Sequence, residues 1–267
     1  EIELLAITTV GGNVPLHHTT RNALKALELV GRQADVPVYA GAAGPMVRTL
    51  ETAEYVHGET GFEGYDLPEP VATASDGFAP DKIVDLVMSR PEKTVTLCCL
   101  APLTNIALAM AREPRLAARL EGIVLMGGAR SEGGNVTPAA EYNIYVDPEA
   151  AQIVMEAGFA DLRLLTWDPV TLRDATIPRA DYDQLTAIDT PMARFFKAVC
   201  DTTLDFNESV GVDGSTHPDS MTLAVLLHPE LIVEQSPYRV DVEVASPLTR
   251  GATVMAWPKF EQEPNAT

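Results

Sequence analysis

The sequence predicts an α/β protein: a single open, mostly parallel sheet flanked by helices, with extra helices in the C-terminal half. Three observations predict it. Short apolar runs alternate with stretches of helical period, the pattern of a parallel sheet covered by helices. Polar or glycine-rich turns follow the apolar runs, as at Gly11-Gly12-Asn13, Gly127-Gly128 and Trp167-Asp168-Pro169. The chain has 267 residues, 46% of them hydrophobic and 21% charged, which is enough for one large α/β unit, and no internal repeat divides it. Residues 1–267 therefore read as one domain.

Element by element, Ile2 to Thr9 reads as a buried strand closed by Val10-Gly11-Gly12-Asn13. Thr19 to Val30 reads as a helix stopped by Gly31, and Val36 to Gly41 as a short strand. Pro80 to Arg90 is a predicted helix with Pro80 in its first turn and Pro91 beyond its end. Thr94 to Leu100 is a strand leading through Pro102-Leu103-Thr104-Asn105 into the helix Ile106 to Arg112. Ile123 to Met126 is a strand, and Pro148 to Ala157 a helix with Asp147 as its N-cap. Leu162 to Thr166 is a further strand. Pro178 to Asn207 looks mostly helical, Asp219 to Leu227 is a helix and Tyr238 to Val244 a strand. In such Rossmann-like sheets ligands bind where strands end and loops begin, which is where the polar turns fall.

A formal net charge of -19 and a pI near 4.5 exclude nucleic acid as a partner, because no basic stripe exists to neutralise phosphates. An acidic surface also suits a site that holds a cation among carboxylates. Cys98, Cys99 and Cys200 show neither CxxC pairing nor metal-ligand spacing and are expected to be reduced thiols. No apolar stretch approaches the ~20 residues that span a bilayer. With no basic segment before the first strand, the cytoplasm is the expected location. The Asn-x-Ser/Thr sequons at Asn135, Asn207 and Asn265 carry little weight without a secretory context.

The chemistry gathers in a few segments. Asn135, Glu141 and Asn143 lie in a loop before a helix, where they either hydrogen-bond the hydroxyls of a polyol or build an Asx-capped turn. Asp219 either caps its helix or serves as a hard-cation ligand. His57-Gly58 lies in a loop. There is no G-x-G-x-x-G after a strand, no Walker A, no G-x-S-x-G elbow and no H-E-x-x-H.

Several segments taken in order resemble the inosine-uridine preferring nucleoside hydrolase family. They are Ile2 to Asn13, Thr20-Arg21-Asn22-Ala23-Leu24, Pro37-Val38-Tyr39-Ala40-Gly41, Val56-His57-Gly58, Leu103-Thr104-Asn105-Ile106-Ala107, Ile123 to Gly128, Glu141 to Ala151 and Thr249-Arg250-Gly251. The resemblance implies calcium-dependent hydrolysis of the N-glycosidic bond of ribonucleosides to free base and ribose. It implies that the backbone carbonyl of Leu100 and the carboxylate of Asp219 bind calcium. Asn13, Met126, Asn135, Glu141 and Asn143, with Asp219, would line the ribose pocket, and His57 would sit near the nucleobase. Asp219, Asn143, His57 and His217 are the catalytic candidates it implies. Pro218 stands where many members carry an acid histidine, so activation of the leaving base falls to His217, His57, a tyrosine or stacking. A homodimer or homotetramer is also implied.

In the resemblance, the family's D-x-D-P-G-x-D-D cluster lies upstream of residue 1, and the family's last strand and helix lie beyond Thr267. Residues 1–267 are therefore expected to be the body of a longer enzyme, without tight calcium binding of its own. The competing readings are a non-catalytic ribose- or nucleoside-binding relative and a calcium-independent α/β glycosidase using Glu141 with a second carboxylate.

Overall fold

A computed structural model describes residues 2–64 and 67–267. The chain runs β1 (Ile7–Thr9), α1 (Leu16–Leu29), β2 (Val38–Ala40), α2 (Glu54–His57), α3 (Ala79–Met88), β3 (Thr96–Cys99), α4 (Thr104–Arg112), α5 (Leu116–Arg119) and β4 (Gly122–Met126). It continues through α6 (Tyr142–Val146), α7 (Pro148–Met155), β5 (Leu162–Leu165), α8 (Leu172–Asp174), β6 (Thr176–Ile177), α9 (Arg179–Thr186) and α10 (Pro191–Ser209). The last elements are β7 (Ser215–Thr216), α11 (Pro218–Leu227), β8 (Val240–Val242) and β9 (Thr253–Met255).

The parallel α/β architecture expected from the sequence is present, with its ladder in two pieces. β3, β4 and β5 pair in parallel, with Thr96 opposite Gly122 and Ile123 opposite Leu162. β1 and β2 form a separate parallel pair, with Ile7 opposite Val38. Asn105, buried in the first turn of α4, links the two pieces. Its Nδ2 donates to the Thr9 carbonyl at 2.9 Å, and its Oδ1 accepts the Ala42 N–H at 2.9 Å. Gly41 leaves room for this bridge, since a Cβ there would overlap the Asn105 amide.

β4 lies between two strands, and every residue from Gly122 to Met126 is buried. Its Ile123 and Leu125 side chains join Ile83, Leu103, Ile106, Leu116, Ile144 and Val154 in the main core. Each fully buried aliphatic side chain contributes about 1.5–3 kcal/mol before conformational entropy is charged against it.

The predicted elements recur with shifted ends. The first strand is shorter than the run Ile2 to Thr9 suggested: Ile2 and Leu4 are exposed, and ladder pairing begins only at Ile7. The first helix starts earlier than predicted, at Leu16, because Pro15 fixes the turn before it. Asp147 caps α7 as expected, accepting the Ala150 N–H at 3.1 Å. α9 and α10 supply the helices predicted for the C-terminal half, and β6–β7 and β8–β9 add antiparallel pairs.

Candidate active site

The C-terminal ends of the parallel strands carry most of the predicted site residues. Asn13 follows β1, Leu100 follows β3, Met126 ends β4, and the segment from Gly127 to Asn143 leads from β4 into α6. α11, with Asp219 in its first turn, packs against β3 and β4.

Glu141 is the centre of the first group. Its carboxylate is buried and serves as the N-cap of α6. It accepts the N–H groups of Asn143 at 2.9 Å, Ile144 at 3.3 Å and Gly128 at 3.0 Å. Burial pushes its carboxyl up to about 7, the negative charge of Asp219 adds a smaller upward push, and the three N–H donors work the other way. Asn143 Nδ2 donates to the Met126 carbonyl at 3.2 Å and lies 3.4 Å from its Sδ. Asn135, exposed overall, accepts the Tyr142 N–H on its Oδ1 at 2.8 Å, so this side chain builds the turn as an Asx residue does. Met126, Asn135, Glu141 and Asn143 are thus brought together at one strand end.

Asp219 belongs to the second group. The N-cap of α11 is His217, and Asp219 makes no hydrogen bond or ion pair among the described residues, so capping does not explain it. The residue is exposed overall, yet the protein packed around its carboxyl desolvates that group. That desolvation pushes it up to about 6, and its charge is felt by Glu141 and by the Cys98 thiol. An unpartnered carboxylate beside the carbonyl end of β3 offers hard oxygen donors, the type a calcium ion takes. No set of three or more His, Cys, Asp or Glu side chains converges among the described residues. Asp219 and the Leu100 carbonyl therefore fit one side of a hard-cation site, in donor type.

The histidines lie around α10. His57 ends α2, whose first residue follows Ala53, and the Ala53 N–H donates to the Asn13 carbonyl at 2.9 Å. That bond joins Asn13 to the helix of His57. α10 packs on α2 and on β7, the strand that leads to His217. The His217 ring stacks on Phe196 of α10 at 5.1 Å between centroids, and its buried Nε2 has no hydrogen-bond partner among the described residues. Burial lowers the pKa of both His57 and His217, which favours the neutral imidazoles.

Residues outside the candidate site set complete the frame. Asp147 Oδ2 accepts the Thr104 hydroxyl at 2.6 Å and the Met46 N–H at 2.9 Å, joining α4 and the 44–53 loop to α7. Gly128, at φ 75°, packs so closely on Thr253 that a Cβ would lie 2.8 Å from its Cγ2. An Asp-Pro after a strand was the only hint in the sequence of a role for Asp168, and nothing there marked Thr253.

Comparisons with known proteins identify the family and the fold. The sequence profile of the inosine-uridine preferring nucleoside hydrolases matches residues 1–267. The chain belongs to the inosine-uridine preferring nucleoside hydrolase family. It is 41% identical to an uncharacterised Schizosaccharomyces pombe protein, over 96% of this chain and 82% of the relative. It is 39% identical to a pyrimidine-specific ribonucleoside hydrolase of Shewanella woodyi, over 94% of this chain and 79% of the relative. The fold matches a purine-preferring ribonucleoside hydrolase of Gardnerella vaginalis with a TM-score of 0.89 at 29% identity, covering 98% of this chain and 83% of that one. This nucleoside hydrolase is therefore an enzyme acting on N-glycosidic bonds. No helix among its described residues is long and apolar enough to cross a membrane.

Proposed function

We propose that this nucleoside hydrolase cleaves pyrimidine ribonucleosides to free base and ribose with calcium as its metal. The observation that carries the reading is the constellation of Met126, Asn135, Glu141 and Asn143 at the end of β4, with the unpartnered Asp219 beside it. The pyrimidine preference is taken from relatives 37–39% identical that bear that name.

In this reading Asn13, Met126, Asn135, Glu141 and Asn143 line the ribose, and residues 1–267 act as one domain. Asp219 and the Leu100 carbonyl hold calcium on one side; the ion, when bound, supplies Lewis acidity and lowers the pKa of a bound water. The carboxylates of Asp219 and Glu141 and the amide oxygen of Asn143 stabilise the positive charge that develops on the sugar as the bond to the base breaks. His57 and His217, kept neutral by burial, face the base side. In the Nε2–H tautomer, His217 donates to the departing base through its unpartnered nitrogen. A homodimer or homotetramer in the cytoplasm completes the proposal; the three cysteines are free, which suits a reducing compartment.

The test is release of base and ribose from uridine, cytidine, inosine and guanosine, in calcium and in EDTA. Turnover with uridine ahead of inosine and loss in EDTA are expected. No turnover in calcium, or full turnover in EDTA, refutes the corresponding part. In the full-length protein calcium should raise the melting temperature of the wild type and leave Asp219→Asn unmoved; an equal rise in both removes Asp219 from the metal site.

A further inference from the structure

The loop after β4 is held in an unusual way. Six consecutive backbone N–H groups, from Gly127 to Glu132, each have a buried or half-buried acceptor. The Gly127 N–H donates to the Leu165 carbonyl at 3.1 Å, that of Gly128 to Glu141 at 3.0 Å, and that of Ala129 to Thr253 Oγ1 at 2.9 Å. Those of Arg130, Ser131 and Glu132 all donate to the carboxylate of Asp168, the Ser131 bond measuring 2.6 Å. The Ser131 hydroxyl approaches the same Oδ2 at 3.3 Å.

Surface loops ordinarily leave most of their N–H groups to water. Here a fully buried carboxylate from the end of β5 gathers three in a row, as an anion does in a nest of successive amides. A buried charge is costly unless it is paired or hydrogen-bonded. The three donors meet that cost only while residues 130–132 keep this one conformation. Asp168 is itself held, because the buried Thr166 hydroxyl donates to its carbonyl at 2.6 Å and the Thr171 hydroxyl donates to the Thr166 carbonyl at 3.0 Å.

Thr253 clamps the neighbouring residue from the other side. Its hydroxyl accepts the Ala129 N–H and donates to the Ala129 carbonyl at 2.6 Å. Downstream, Glu141 ties back to the Gly128 N–H, so residues 128–141 form a closed loop. Asn135 lies within that loop, three residues past the last N–H held by Asp168, and Asn143 lies just beyond its neck.

We infer that Asp168, assisted by Thr253, is a positioning residue for the ribose pocket: it fixes the 130–143 segment that presents Asn135, Glu141 and Asn143, without touching the substrate itself. The functional half of this inference rests on the proposed ribonucleoside reading. The physical half, a loop locked by one buried carboxylate, does not.

The test compares wild type, Asp168→Asn and Thr253→Val by amide hydrogen exchange and by kinetics. In Asp168→Asn an NH2 group replaces one acceptor oxygen and faces N–H donors. Amides 130–143 should then exchange at least about tenfold faster, with those of β3, β4 and β5 unchanged. For uridine, kcat/KM should fall about 10–100-fold, the scale of a misplacement near 1 Å. The preference for uridine over its 2′-, 3′- or 5′-deoxy analogues should also shrink for at least one of them, which a simple loss of stability would not cause. Thr253→Val should move the same readouts in the same direction by less, and it carries the test if Asp168→Asn does not fold. Unchanged exchange at 130–143, or faster exchange with unchanged kcat/KM and hydroxyl preference, overturns the inference. A wild type that turns over no nucleoside refutes the proposed function, and the exchange measurement then decides the clamp by itself.

Discussion

Replacing Glu141 with glutamine should flatten part of the pH dependence of folding. The carboxyl lies inside the protein, where burial pushes it from the usual 4.5 up to about 7. Between those values the folded chain keeps a proton that the unfolded chain has lost. Stability therefore falls as pH rises through this window, by up to about 1.4 kcal/mol per pH unit, and levels off once the folded carboxyl has ionised. Across the gap of roughly 2.5 pH units the total is on the order of 3 kcal/mol. The N–H groups of Gly128, Asn143 and Ile144 favour the charged form and limit the rise. Glutamine is neutral throughout, so the variant lacks this slope. Urea denaturation of both proteins in EDTA, from about pH 5 to about pH 8, measures the difference. An amide NH2 facing a backbone N–H displaces the variant's curve by a constant and leaves its shape alone. The slope from Asp219 occurs in both proteins and cancels to first order. Stability of Glu141→Gln relative to wild type should rise with pH by about 2–3 kcal/mol over this range. Parallel profiles would show that Glu141 is ionised in the folded protein throughout, and the reasoning from burial would be wrong.

Asp147→Ala should cost about 3–5 kcal/mol in urea denaturation, because the Thr104 hydroxyl and the Met46 and Ala150 N–H groups lose a buried charged acceptor together. A loss below about 1 kcal/mol would mean that water replaces the carboxylate. Gly41→Ala should cost about 1–3 kcal/mol and lower the melting temperature, since its Cβ would displace the Asn105 amide from Thr9 and Ala42. An unchanged melting temperature would show that Asn105 is not needed to hold β1 and β2 against α4.

The sequence by itself determined the elements whose causes are local. Apolar runs at β3, β4 and β5 and the cap at Asp147 read correctly, because periodicity and capping act over a few residues. It also determined the family, whose profile matches residues 1–267. Only the tertiary structure decided that Ile2 to Leu5 stays outside the ladder, because pairing depends on a neighbouring strand that periodicity does not name. It likewise decided that His217, not Asp219, occupies the N-cap position of α11, and that the Asp219 carboxylate has no partner among the described residues. Partners distant in sequence lay beyond any local reading. Asn105 reaches Thr9 across 96 residues, Asp168 reaches Ser131 across 37, and Thr253 reaches Ala129 across 124. Each is a single polar side chain whose distant partner no local period names, and its importance comes from being buried against a backbone group that needs hydrogen bonding there.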